Sequence, residues 1–345
     1  MISIGFWYIP LALLVFGCLI FIHEFGHFIF ARIFGVTIRE FSIGMGPKIF
    51  SKVSEKNGTL YSLRALPIGG YVSMEGEDEA SEDENAFGNK AVWKRIIITV
   101  AGAAMNILLG IIIMFVLVFS SRPLFSTTIS NFAQNAVSSK AGLMVGDTVL
   151  KVGGVSVHTG NELHYEVTNQ GYKPIDITVL RDGEKVVIRD VLFLSATESG
   201  VSFGRRDFNM EYEKASFGNL MKHAFWRSVS TVKMIVDSIA DLFGGRYGLE
   251  AVSGPVGVTN VIGNAASQGG IDFFFVIVVI TMNLGVMNLL PFPALDGGRL
   301  IFLLIELIRR KPMKPEIEGY INFAGLIILF GFMIFITFKD IIGLI

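Results

Sequence analysis

Cysteine is nearly absent. The one thiol, Cys18, lies inside an apolar run, so an intrachain disulfide is excluded and a buried thiol is expected. Charge is scarce as well. Charged residues make up 17% of the 345 positions against 52% hydrophobic, with thirty phenylalanines and a positive mean hydropathy, which excludes an ordinary soluble globular chain. The net charge of -1 hides an uneven distribution, and no nucleic-acid partner is indicated. A basic n-region and a small-residue cleavage site are also missing near the N-terminus, so the first apolar segment is expected to be retained.

What is present in quantity is membrane-length hydrophobic sequence. Runs able to cross about 30 Å of hydrocarbon occur four times, near residues 4–31, 96–120, 273–295 and 319–338. Basic residues cluster between the first two (Arg32, Arg39, Lys48, Lys52, Lys56, Arg64, Lys90, Lys94, Arg95) and between the last two (Arg299, Arg309, Arg310, Lys311, Lys314). The positive-inside rule makes both segments cytoplasmic, and places both termini and the region 122–270 on the outer side. The expected fold is a polytopic α-helical membrane protein with four transmembrane helices, a cytoplasmic membrane-associated β region and an inserted extracytoplasmic β-rich domain.

The expected boundaries follow from these patterns. Residues 1–35 form the first span. Residues 36–90 hold the cytoplasmic β region, read from short alternating stretches such as Thr59-Leu60-Tyr61-Ser62-Leu63-Arg64, and an acidic loop from Glu75 expected to be solvated and mobile. Residues 91–121 form the second span, where Gly102, Ala103 and Ala104 permit close helix approach and Asn106 either bonds across helices or faces a site. Residues 122–195 read as one small β-rich domain. Its strand-like runs start at Ala141, Thr148 and Ile175, and Arg181-Asp182-Gly183 signals a hairpin. His158 and His164, with no ligand spacing, are expected to be surface or packing residues. Residues 196–270 hold an amphipathic interfacial helix and a Gly254-Pro255-Val256-Gly257 loop, re-entrant or a short broken helix. Residues 271–299 form the third transmembrane segment, 300–318 a cytoplasmic connection and 319–345 the fourth transmembrane helix.

The chemistry is concentrated in two of the spans. His23-Glu24-Phe25-Gly26-His27 sets two histidines at i and i+4 on one helix face with a glutamate beside them, an arrangement that binds zinc and activates water. An ionisable group at membrane depth costs at least about 2.5–3.5 kcal/mol, so three of them need a compensating partner. A catalytic zinc takes three protein ligands. Asp296, the only carboxylate at the end of the third span, is a candidate for the third; the alternative is that it caps the following helix. Pro291 and Pro293 cannot continue a regular helix, so the backbone there is expected to unwind against protein or a wet cavity. Asn283 and Asn288 are candidates for interhelical hydrogen bonds.

Taken together, these motifs resemble the site-2 protease family, M50-type intramembrane zinc metalloproteases, in the bacterial regulator-of-sigma-E protease branch with one PDZ domain. The residues that carry the resemblance are His23 to His27, the Asn-x-x-Pro-x-Pro-x-Leu-Asp-Gly-Gly string from Asn288, residues 66–72, residues 141–147, and Gly254 to Gly257. The resemblance implies that His23, His27 and Asp296 bind Zn2+ and that Glu24 is the general base. It implies substrate-binding roles for Asn288, Asn283 and Asn106, and pairing of an edge of residues 60–72 with substrate as an added strand. Ala103 departs from the family's usual Gly-Pro-x-x-Asn element, which leaves Asn106 open. The implied substrates are single-span membrane proteins, such as anti-sigma factors or leftover signal peptides, cut within the bilayer of the cell (inner) membrane. The implied PDZ domain acts outside as a size filter or as a binder of newly exposed C-termini. The alternatives are a catalytically silent scaffold that binds membrane segments, or a metal-binding membrane protein. The other three histidines lie outside the spans, which disfavours a transport pathway, and Glu24 favours hydrolysis.

Overall fold

The computed structural model describes residues 7–343 except 78, 122, 199 and 200. In chain order the elements are α1 (Tyr8–Ile33), β1 (Ile38–Val53), β2 (Leu60–Met74), α2 (Val92–Ser120), β3 (Leu124–Phe132), α3 (Val137–Lys140), β4 (Thr148–Val152), β5 (Val155–Ser156), α4 (Gly160–Gln170), β6 (Ile175–Arg181), β7 (Glu184–Val191), β8 (Leu194–Glu198), β9 (Val201–Arg205), β10 (Phe208–Glu213), α5 (Phe217–Phe243), α6 (Pro255–Gln268), α7 (Gly270–Asn288), α8 (Asp296–Arg309) and α9 (Pro315–Ile342). They divide into two compact units, Met1–Gly110 with Ser253–Ile345, and Ile111–Val252. Among the described residues, four helices are long and apolar enough to cross a membrane: Tyr8–Ile33, Val92–Ser120, Gly270–Asn288 and Glu316–Ile342. Residues 4–6 of the expected first span lie outside the described residues. The third helix ends at Asn288, short of the expected 295, because Pro291 and Pro293 follow.

The first unit is assembled by small residues. A Cβ on Gly26 of α1 would stand 2.4 Å from the Ala101 carbonyl oxygen of α2, and one on Gly285 of α7 would stand 2.8 Å from that of Ala103. Both helices can therefore lie close against α2. Ala12, Val15 and Leu19 of α1 pack with Ile262 of α6. The Gly-Pro-Val-Gly sequence is the start of that helix, where Asp340 of α9 accepts from the Gly254 and Gly257 amides at 2.9 and 2.8 Å. Its carboxylate satisfies donors that open the helix.

β1 and β2 form a kinked antiparallel pair. Ile38 pairs with Met74 and Ile43 with Gly70 at one end, Val53 with Leu60 and Phe50 with Leu63 at the other. Gly44, Gly46 and Gly69 take positive φ at the kink. An aromatic cluster of Phe21, Phe25, Phe28, Phe41 and Tyr61 seats this sheet on α1. The acidic segment, expected as a solvated loop, makes specific contacts. Glu75 pairs with Arg39 and accepts from Ser81 at 2.7 Å, which together hold its carboxyl below the ordinary range. Asn89 donates to the Ser81 and Asp83 carbonyls, and Glu77 pairs with Arg299 of α8. Arg39 on β1 and Arg299 on α8 lie on other elements, so Glu75 and Glu77 are paired by residues distant in sequence. Asp78 of that run lies outside the described residues. Cys18 also departs from expectation: it is exposed on α1. The connection after residue 299 is largely the helix α8.

In the second unit the sheet runs β10-β3-β4-β6-β7, with β5 paired to β4, and β8–β9 form a separate hairpin. Its core holds Ile129, Leu143, Val149, Val152, Leu163, Val167, Ile177 and Val179. Asp182 and Gly183 turn the β6–β7 hairpin with φ of 51° and 85°, the two left-handed positions of a type I′ turn. Residues 141–147, expected as a strand, are instead an irregular bend after α3 with Gly142 and Gly146 at positive φ. Asp147 ends the bend as the partner of Arg181 at 2.7 Å. β10 pairs with β3, so the sheet continues past residue 195 to Glu213. The amphipathic helix α5 follows, capped by Ser216. His158 stacks on Trp226 at 3.5 Å, and Tyr165 donates to Asp237 at 2.8 Å.

Candidate metal centre

α1 carries His23 and His27 on one face of an unbroken helix, both 8% exposed. Asp296 arrives differently. α7 stops at Asn288, the chain passes Pro291 and Pro293, and Asp296 opens α8. Gly297 and Gly298 make that compact turn possible, since a Cβ on Gly297 would stand 2.1 Å from the Leu290 oxygen and one on Gly298 2.4 Å from the Phe292 oxygen. The result is a three-residue cluster whose ligand atoms all lie within 4.8 Å of one another.

The distances fit a shared cation. His23 Nε2 and His27 Nε2 are 3.2 Å apart, and Asp296 Oδ2 lies 3.1 Å from the first and 3.4 Å from the second. The edge of a tetrahedron with metal–ligand bonds of about 2.0–2.1 Å is about 3.3 Å. The tautomer fits too. His27 Nδ1 lies 2.8 Å from the Ile98 carbonyl and can only donate to it, which leaves Nε2 of the neutral ring with a lone pair aimed into the cluster. Asp296 Oδ2 is buried and has no hydrogen-bond donor. The His27 lone pair and the Asp296 oxygen converge on the same point, and a cation shared with His23, or a proton on His23 Nε2, relieves their repulsion. Gly102 leaves the space they need, because a Cβ there would stand 2.4 Å from His27 Nε2.

Around the cluster is a cavity of about 250 Å³ lined by His23, Glu24, His27, Tyr71, Val72, Met74, Glu77, Phe87, Ile98, Thr99, Asp296 and Arg299. Glu24 Oε2 accepts from the Val72 amide of β2 at 3.0 Å, so the 70–74 end of that strand turns a backbone donor toward the site. A second cavity of about 420 Å³ lies against the acidic segment, α8 and the start of α9. Glu77, Phe87 and Arg299 border both cavities.

The three asparagines fare differently. The Asn288 amide stands 3.5 Å from His23 Nδ1. Asn106 is buried with both amide atoms unpartnered, while Thr281 donates to its backbone carbonyl at 3.1 Å. An amide left so costs about 1–3 kcal/mol. Asn283 is exposed, and none of the three asparagines lines the cavity. Ile98, Tyr71, Glu77 and Arg299 were not legible as site residues from spacing alone. Arg299, three residues past Asp296, carried the nearest signal as the one cation beside the aspartate motif.

The model of peptidase family M50 matches residues 11–332. The chain belongs to peptidase family M50. It is thus a metalloprotease of the site-2 protease type and an integral membrane protein. Among relatives of this M50 chain, a Clostridium acetobutylicum protein named as a zinc metalloprotease is 35% identical over 342 residues, 98% of each chain. The regulator of sigma-W protease RasP of Bacillus subtilis is 29% identical over 411 residues, covering 95% of this chain and 97% of RasP. The zinc metalloprotease RasP of Oceanobacillus iheyensis is 28% identical over 415 residues, again 95% and 97%.

Proposed function

We propose that His23, His27 and Asp296 hold Zn2+, that Glu24 is the general base, and that the reaction is hydrolysis of a peptide bond within the transmembrane segment of single-span membrane proteins. The observation that carries this reading is the convergence of three candidate ligand atoms, 3.1–3.4 Å apart, from the first span and from the start of α8, just past the third span. Zinc, when bound, supplies a Lewis acid and lowers the pKa of water into the neutral range.

This chain's own residues supply the rest. Glu24 takes the proton of the attacking water and delivers it to the leaving amine. His27, held by the Ile98 carbonyl, keeps its Nε2 turned to the cluster. A transmembrane helix hides its carbonyls in its own hydrogen bonds and must open before attack. The 70–74 edge of β2, with the Val72 amide facing the site, is positioned to receive it as an added strand. A substrate strand there would compete with Glu24 for that amide and free the carboxylate for proton transfer. Asn288 is close enough to share in holding the opened segment. All three asparagines lie outside the cavity lining, and Asn106 and Asn283 lack the contact with His23 that Asn288 makes.

The distribution of Lys and Arg supports an orientation with both termini and the second unit outside the cell membrane, and with the β1–β2 sheet and the acidic segment inside. The scissile bond then lies toward the cytoplasmic end of the substrate span, with water arriving past Glu77 and Arg299. The second unit, with its five-strand path and α4, is read as a PDZ-like domain that sorts substrates by size or by their C-termini. Anti-sigma factors and leftover signal peptides fit as substrates. The test is mass-spectrometric mapping of the products from a co-reconstituted single-span substrate. The expected cut falls inside the apolar span and disappears with a zinc chelator. Cutting confined to soluble loops, or unaffected by chelation, would overturn the reading.

A further inference from the structure

The fourth span has little to hold it. Only 11% of the apolar window of α9 is buried, against 22–39% for the other three spans. Besides the bonds of Asp340 to the start of α6, α9 touches the turn that carries Asp296. Asn322 Oδ1 accepts from the Ala294 amide at 3.2 Å. One turn on, Gly325 is buried against Pro293, where a Cβ would stand 2.5 Å from the Pro293 Cβ and 2.7 Å from its oxygen.

Ala294 is the strained residue of that turn, with φ of 70°. An L-residue with a Cβ avoids this left-handed region, which glycine enters freely. Pro293 before it has no amide hydrogen, so the Ala294 N–H is the first donor the chain offers after the second proline. An asparagine in an apolar span needs a partner as well. Each group answers the other, and the bond fixes the backbone two residues before Asp296.

We propose that Asn322 is a positioning residue for Asp296: by holding Ala294 in its left-handed conformation, with Gly325 as the slot for Pro293, α9 sets where the carboxylate meets His23 and His27. This rests on the reading of Asp296 as a zinc ligand. It assigns the fourth span a task in the metal site that its lipid-facing sequence conceals. The asparagine acts through the backbone and touches neither substrate nor metal.

The full chain in lipid nanodiscs, titrated with zinc against a chromophoric chelator and assayed for kcat and KM on a single-span substrate, tests this. Asn322→Ala is expected to weaken zinc binding by about 10- to 100-fold, the range for lost outer-sphere partners of a metal ligand. Its kcat is expected to fall at limiting zinc with KM little changed. The decisive variant is Asn322→Ala with Ala294→Gly, in which glycine takes the positive φ unaided and zinc affinity returns toward that of the parent. If Asn322→Ala does not fold, Ala294→Val is the substitute, since a β-branched residue at positive φ should weaken zinc binding with Asn322 intact. Unchanged zinc affinity in Asn322→Ala or in Ala294→Val, or no rescue by Ala294→Gly, overturns the proposal provided that Asp296→Ala loses zinc. If Asp296→Ala keeps its zinc, the metal reading itself has failed.

Discussion

His23 and His27 reach the cluster from 26 residues of uninterrupted helix, and Asp296 reaches it from a turn with two prolines, two glycines and a left-handed alanine. The helical half is specified locally, since the i, i+4 spacing alone puts both rings on one face. The broken half depends on its surroundings. Its turn closes only because Gly297 and Gly298 admit the carbonyls of Leu290 and Phe292, and because α9 holds Ala294 from the other side. One half can be read from five residues, while the other needs contacts across the unit.

Removing a ligand breaks both halves alike and has the largest effect. His27→Ala and Asp296→Ala are each expected to lose zinc on dialysis, measured by elemental analysis, and to lose cleavage. Gly297→Ala separates the halves, because its Cβ has no room in the turn; zinc affinity is expected to drop by about 10- to 100-fold. Asn288→Ala removes the amide beside His23 Nδ1 and is expected to weaken zinc binding by about tenfold, read by chelator competition.

The smallest effect concerns the sheet seated on α1. Burial pushes the Glu40 carboxyl up, but hydrogen bonds from Ser62, Arg64, Tyr71 and Lys48 outweigh it and hold it down to about 2. A group depressed in this way stabilises the fold above its ordinary range, and the contribution fades as pH falls from about 4.5 toward 2. Glu40→Gln should therefore lower the thermal midpoint by a few degrees at pH 7. The gap should close as both proteins are taken toward pH 2.

The sequence made the four spans legible because hydrophobic length is a local property. It also made His23, Glu24 and His27 legible, and the break at Pro291 and Pro293. It concealed what depends on distant partners. Glu77 is one acid in an acidic run until Arg299 is placed against it, and Asn322 is an isolated polar residue until Ala294 is seen to need it. Residues 141–147 misled because their apolar residues suggest a strand, while the glycines at 142 and 146 bend the chain at positive φ. The extent of the second unit's sheet was hidden for the same kind of reason, since β10 pairs with a strand nearly eighty residues earlier, as in Asn209 with Asn131.

The role of Glu24 as general base beside a zinc site is tested most directly by measuring zinc content and substrate cleavage side by side in Glu24→Gln. That side chain keeps its shape and its place beside Val72 but cannot take a proton. One zinc per chain is expected, as in the parent, with cleavage lowered by about 10²- to 10⁴-fold, the contribution of a general base. Full cleavage by the zinc-loaded variant would contradict that role.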